Sequence, residues 1–428
     1  MRKYYLKNLS AAEEEALTKR PEIQLERVIE IVKPVLADIR QNGLAAAVNY
    51  AQKLDGYPYD DLRVKEEEFE QAEKTLDEKI KTAIKTAAGN IETFHKKQIP
   101  DGYTIETMPG VECSREFRPV ENAGLYIPGG SAVLPSTMLM LGIPARLAGC
   151  KRVIACSPSK DGTVNAPLLY AARLCGVNEF YKIGGAQAIA LMAYGAEGIK
   201  KVNKIFGPGN QFVTAAKMLL ATDFSGCAID MPAGPSEVLA IADSNANPAF
   251  IASDLLSQAE HGADSQVVLA TVSEELAQNV SAEIDLQLKA LPRMEFAIKA
   301  LEGSFILITE TIRQAVEFSN NYAPEHLILH VDKPDELKDK IINAGSVFMG
   351  GFSPESAGDY ASGTNHSLPT YGYAKNYSGV NVGSFLKSIT FQKLTKAGLE
   401  NIAQAVETLA ETEGLYAHKN AVTIRLKS

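Results

Sequence analysis

The sequence contains no tryptophan, and only five cysteines and six histidines in 428 residues. The cysteines, at 113, 150, 156, 175 and 227, are odd in number and form no Cys-x-x-Cys pair. That argues against a disulfide scaffold and suits free thiols in a reducing cytoplasm, where cysteine most often serves as a small hydrophobe rather than a nucleophile. No stretch reaches the roughly 18 apolar residues that a membrane helix requires. The nearest, "TMLMLGIPARLAG", carries Pro144 and Arg146 and reads as a buried helix. The opening "MRKYYLKNLSAAEEEALTKR" is charged throughout and lacks the apolar segment of a secretory signal. These absences predict a cytoplasmic protein without membrane contact. A basic cluster is missing as well: 43 Lys and Arg stand against 52 Asp and Glu, a formal net charge of −9. A nucleic-acid partner is therefore not expected. Several catalytic signatures are absent too: His-Glu-x-x-His, a P-loop lysine, and a Ser-His-Asp ordering. No complete G-x-G-x-x-G occurs either, because "GPGNQF" fails at its sixth position.

What is present is the composition of a globular protein, 46% hydrophobic and 22% charged, in a chain long enough for two or more cores. Residues 1 to about 115 read mostly as helices, with apolar residues at helical spacing in 21–56 and 64–98. His95 falls in the second of these, where the surrounding charge predicts a solvated face. From about 121 the pattern becomes strand-then-helix: "AGLYIPGG", "RVIACSP", "EFYKIGG" and "VNKIFGPG" each precede a helical run. Such βα units predict a parallel sheet. Three of these strands end in glycine turns, Gly129-Gly130, Gly184-Gly185 and Gly207-Pro208-Gly209. On one carboxyl edge they would let backbone N–H groups approach an anion or nucleotide. A single such pair would merely make a tight turn.

A second strand–helix alternation starts at "SEVLAIAD" and runs to "SVFMGG", with no flexible linker before it. The fold expected is therefore α/β, with two Rossmann-like parallel-sheet domains, a helical N-terminal region and a small C-terminal dimerisation tail. The boundaries expected are 1–20 for a helical arm, 21–120 with 238–378 for a discontinuous first domain, 121–237 for an inserted second domain, and 379–428 for the tail. That tail holds a helix and a short strand-like "AVTIRL", which on its own would need a partner to pack on.

Four of the six histidines, His261, His326, His366 and His418, lie in polar or glycine-rich contexts. In "SQAEHGADSQ", Gln258 and His261 are three apart at a helix end and share a face. They could reach one cation, although a histidine favoured by the helix macrodipole is the plainer alternative. In "YAPEHLILH", Glu325 and His326 precede a strand and could serve two distinct proton transfers, or be a solvated loop. His330, within that strand, reads as structural. About thirty residues from Phe352 show no helix or strand period; loops of that length are usually functional or disordered, and this one offers Asp359 and His366. Glu413 and His418 lie near the C-terminus, and neither motif nor spacing ties them to the rest.

The segments "DMPAGPSEVLAIAD", "SQAEHGADSQ", "YAPEHL", "GSVFMGGFSPESAGDYASGTNHSLPT" and "EGLYAHKNAV", with "GLYIPGG", "GGAQAIA" and "FGPGNQFV" upstream, together resemble the histidinol dehydrogenase family. The resemblance spans nearly the whole chain, with long motifs in fixed order. It implies oxidation of L-histidinol through an aldehyde to L-histidine, the last steps of histidine biosynthesis, with two NAD each accepting a hydride. It also implies one zinc per subunit on Gln258, His261, Asp359 and His418, the last supplied across a homodimer. Substrate contacts are implied at Ser236, His326 and Glu413 beside those ligands, and NAD contacts at Tyr126, Gln187 and Asn210. His326 would take the hydroxyl proton and Glu325 would activate water. His366, not a ligand position, is expected to line the site. The alternatives are a paralogue oxidising another alcohol on the same scaffold, and a zinc hydrolase.

Overall fold

The fold comes from a computed structural model of the chain, which describes residues 1–20, 25–55, 61–129, 134–159 and 161–428. Gly130, one half of a glycine pair singled out above, lies outside them, as do the first residues and the end of the 21–56 helical pattern.

The chain opens on a strand, β1 (Arg2–Tyr5), and four helices lead to a hairpin of β2 (Tyr103–Met108) and β3 (Val111–Pro119). The strand–helix series follows: β4 (Asn122–Tyr126), β5 (Arg152–Ser157), β6 (Glu179–Lys182), β7 (Lys204–Phe206) and β8 (Ala228–Ile229). A second series has β9 (Glu237–Ala242), β10 (Gln266–Thr271), β11 (Phe305–Ile308), β12 (His326–His330) and β13 (Ser346–Met349). The last strand, β14 (Leu386–Leu394), precedes two C-terminal helices. The strand orders are β6-β5-β4-β7-β8 and β1-β11-β10-β9-β12-β13, and every pairing in these two sheets is parallel. Both sheets thus place the first strand of their strand–helix series, β4 and β9, inside the sheet and reverse direction beside it, the Rossmann-like order, with β1 added at the edge of the second. Strands β4, β9, β10 and β12 are buried on both faces, which explains why they read as continuous apolar runs.

Three expectations are corrected here. The N-terminal arm does not begin as a helix: Arg2–Tyr5 pairs with Phe305–Ile308 and extends a sheet edge. The helix Ala11–Thr18 follows, started by a Ser10–Glu13 capping box. Four residues are too few to carry a readable period, so only the edge of β11 decides their structure. The helices of 25–96 pack chiefly on the β4–β8 sheet, and touch 238–378 only where the last of them meets the loop at Ala361 and Asn365. Val32, Leu36 and Ile39 join Ile189 and Val213 on one face of the β4–β8 sheet, and Phe69, Ile84 and Ile91 join Met138 and Leu139 on the other. Side-chain packing, which sequence order does not reveal, assigns that segment. Finally, "AVTIRL" is helical, part of Tyr416–Lys427. Over six residues, alternation does not exclude a helical face, and Val422 is buried where this helix packs on Lys396–Thr412. Among the described residues no helix is long and apolar enough to cross a membrane.

Candidate active site

The two sheets meet at a cleft of about 990 Å³. Its walls come from opposite ends of their strands. From the β4–β8 sheet come residues at the carboxyl ends: Tyr126 closes β4, Gly185 follows β6, and Gly209 and Asn210 follow β7. From the other sheet come residues at the amino ends: Ser236 precedes β9, while Glu325 and His326 open β12. Gln258 and His261 join them because the helix Pro248–Ala259 runs back from the far end of β9 and stops at the start of β10. The carboxyl-edge rule therefore describes one sheet and not the other.

The glycine turns are tightly held. Gly207 has φ +117°, and a Cβ there would lie 2.1 Å from the carbonyl oxygen of Tyr126. Its N–H donates to Asp230 Oδ2 at 2.8 Å and its carbonyl accepts from Lys217 Nζ at 2.8 Å. Lys217 and Asp230 form a buried ion pair, compensated in part because each also bonds this turn and because Asp230 accepts from the N–H of Met231 at 2.7 Å. Gly207→Ala is expected to destabilise the protein by about 1–3 kcal/mol, measured by urea unfolding. No change in the midpoint would mean that the turn relaxes. Tyr126 Oη accepts from the N–H of Gly185 at 3.0 Å, tying two of the turns together. Gln187 is buried in the first turn of Gly185–Tyr194, and Asn210 Oδ1 caps Gln211–Ala221 by accepting from Phe212 and Val213. Two helix N-termini consequently face the cleft, where an anionic group is favoured.

Opposite them lies a buried polar cluster. His326 Nδ1 is 3.2 Å from the carbonyl oxygen of Glu237, 3.4 Å from Gln258 Nε2 and 3.5 Å from Glu325 Oε2. Its Nε2 is 3.4 Å from Asp359 Oδ1. Glu355 Oε1 stands 3.9 Å from Nδ1. Burial opposes the charge on His326, but Glu355, Glu325 and Asp359 outweigh it and hold the imidazole pKa well above its ordinary value. Burial pushes Glu325 and, more strongly, Glu355 upward, with neighbouring carboxylates adding to the effect. Asp359 is held below the usual carboxylate range: burial acts against this, and His326, His366 and His261 prevail.

Sequence reasoning missed Glu355. The signal was the helical i, i+4 spacing to Asp359, which the aperiodic look of the loop concealed; Glu355–Tyr360 is in fact a short helix. His366 lines the cleft as expected, its Nδ1 2.8 Å from the Asp359 carbonyl and its Nε2 3.0 Å from Thr137 Oγ1. His95 is not solvated. It is fully buried, bonded to the Ile91 carbonyl, with Nε2 3.3 Å from Asn365 Nδ2, the residue before His366. Its helix turns that face inward, against the loop. His330 is buried 3.4 Å from Asp254 Oδ2.

The residues read as metal ligands are only partly assembled. Gln258, His261 and Asp359 line the cleft. Glu413 and His418 do not: both are exposed, one ending Lys396–Thr412 and the other in the first turn of Tyr416–Lys427. Among the described residues, the His, Cys, Asp and Glu side chains grouped closely enough to hold a metal are His326, Glu355 and Asp359. Gln258 Oε1, His326 Nε2, Glu355 Oε2 and Asp359 Oδ1 are buried without a hydrogen-bond partner. Leaving such atoms bare is costly. Nitrogen and oxygen donors with an excess of carboxylates suit a divalent metal.

A Rossmann-like sheet whose glycine turns open on a cleft with a histidine–carboxylate cluster is an architecture suited to an α/β oxidoreductase of the nicotinamide-dependent class. The family described as Histidinol dehydrogenase matches residues 18–426. Histidinol dehydrogenase of Photobacterium profundum is 52% identical over 421 residues, covering 98% of this chain and 94% of that one. That of Vibrio cholerae is 52% identical over 428 residues, covering 100% and 99%. The crystal structure of histidinol dehydrogenase from Elizabethkingia anophelis superposes with a TM-score of 0.96 at 52% identity, covering 100% of this chain and 98% of that one. The chain belongs to the histidinol dehydrogenase family.

Proposed function

We propose that the chain oxidises L-histidinol to L-histidine through L-histidinaldehyde, with NAD accepting a hydride in each step, at the cleft between its two sheets. The observation that carries this reading is the placement of Glu325 and His326 beside Gln258, His261 and Asp359, facing the glycine turns of the other sheet. Tyr126, Gln187 and Asn210 would contact the dinucleotide. Gln258, His261, Asp359 and the partner copy's position 418 would hold zinc. Bound zinc would supply a positive anchor for the substrate's imidazole and amine, orienting the carbinol carbon towards the nicotinamide.

The chain's own groups divide the proton work. In the neutral tautomer with its N–H on Nδ1, 3.2 Å from the Glu237 carbonyl, His326 would carry on Nε2 the lone pair that takes the hydroxyl proton as the first hydride departs. The carboxylates that raise its pKa would strengthen it as a base. Glu325, a buried carboxylate of raised basicity, takes a proton from the water that adds to the aldehyde. The resulting hydrate loses the second hydride. Ser236, the partner's Glu413 and the ligand residues would hold the substrate throughout, so that the aldehyde stays in place.

A homodimer with shared sites fits the exposure of Leu409, Leu415, Tyr416 and Ile424 around His418, an apolar surface left open in one chain. The protein supplied with L-histidinol, zinc and NAD is expected to form two NADH per histidinol, measured by absorbance. No NADH, or one NADH with the aldehyde released, would overturn the proposal. Turnover of a non-imidazole alcohol alone would favour the paralogue.

A further inference from the structure

Arg20 ends the N-terminal arm, far in sequence from Glu325 and His326, yet it reaches their surroundings. Its side chain is 4% exposed. Nε donates to Glu237 Oε2 at 2.7 Å and Nη2 donates to Glu237 Oε1 at 2.7 Å, a two-point grip. Nη1 donates to the carbonyls of Tyr322 at 2.6 Å and Thr18 at 2.9 Å, and the guanidinium lies 3.4 Å over the Tyr322 ring. Arg20 therefore holds both Glu237 and the main chain three residues before Glu325. Between them Ala323 adopts φ +52°, a conformation that a non-glycine residue keeps only when its surroundings impose it.

Glu237 in turn touches both members of the pair. Its N–H donates to Glu325 Oε2 at 2.9 Å, and its carboxylate accepts from the N–H of Glu325 at 3.2 Å. Its carbonyl faces His326 Nδ1. A buried carboxylate without its guanidinium would have to protonate, move or draw in water. Each of these outcomes disturbs the contacts by which Glu237 holds Glu325.

We propose that Arg20 and Glu237 are the positioning pair for Glu325, making the N-terminal arm part of the reaction's machinery. This rests on the reading of Glu325 as the base for water. Lysine keeps the charge of Arg20 but cannot reproduce its planar two-point fork.

The test gives L-histidinaldehyde to the zinc-loaded protein with either NAD or NADH. Oxidation needs the added water; reduction needs only a hydride and one proton. Arg20→Lys and Glu237→Gln are expected to lower the ratio of oxidation kcat to reduction kcat about tenfold, with the aldehyde KM changed far less. Arg20→Lys is the milder lesion should Glu237→Gln fail to fold. Equal losses in both directions would reduce the pair to a structural role and overturn the inference. Glu325→Gln is the control: if it leaves the ratio unchanged, the reading of Glu325 fails instead.

Discussion

Glu325→Gln is expected to lower oxidation of L-histidinaldehyde by about 10²–10⁴-fold, the usual contribution of a positioned general base, while lowering its reduction by NADH far less. Glutamine retains an oxygen to accept from the N–H of Glu237, so the main-chain arrangement at 2.9 Å can persist. It cannot take a proton from water. The native carboxyl is buried and raised in pKa, which makes its ionised form a stronger base than a surface carboxylate. Its Oε2 also lies 3.4 Å from Gln258 Nε2, so the side chain is aimed into the cleft beside a proposed ligand. Stopped-flow NADH traces in the two directions measure the split. Losses of the same size in both would remove Glu325 from the water step.

Co-expressed His418→Asn and Glu325→Gln chains are expected to regain about a quarter of wild-type histidine formation as an unsorted population and about half as isolated mixed dimers, although each variant alone is inactive. The reason is symmetry. If one chain contributes Glu325 and the other His418, a mixed dimer has one site with both lesions and one with neither. Random pairing makes about half the dimers mixed, and half of their sites are intact. The expectation rests on the exposure of Glu413 and His418, which do not line the cleft of their own chain. Co-expression with two affinity tags isolates the mixed species for assay. Activity that stays at the parental level would place both residues in one chain's own site.

Much of this arrangement was legible in the linear order of residues. The strand–helix alternation after residue 121 is local chemistry: apolar runs bounded by glycine turns have few other solutions. The grouping of Gln258 with His261 was anticipated by helical spacing, although the helix ends at Ala259 and His261 lies just beyond it. Glu355 was equally accessible by that rule through its spacing to Asp359, but the glycines and prolines around the short helix hid its period. The four-residue β1 and the helical end of the tail were not legible, because segments that short take their structure from the surface they meet.

The sequence by itself determined the two parallel sheets, the glycine turns and the family to which the chain belongs, since each depends on residue type and short-range spacing. Only the tertiary structure decided that one sheet faces the cleft with its carboxyl edge and the other with its amino edge. It alone placed Arg20 against Glu237, which lies 217 residues away, and turned His95 inward. These are contacts between surfaces, and their partners are chosen by packing and by the cost of burying an unpaired charge, neither of which is written in local order.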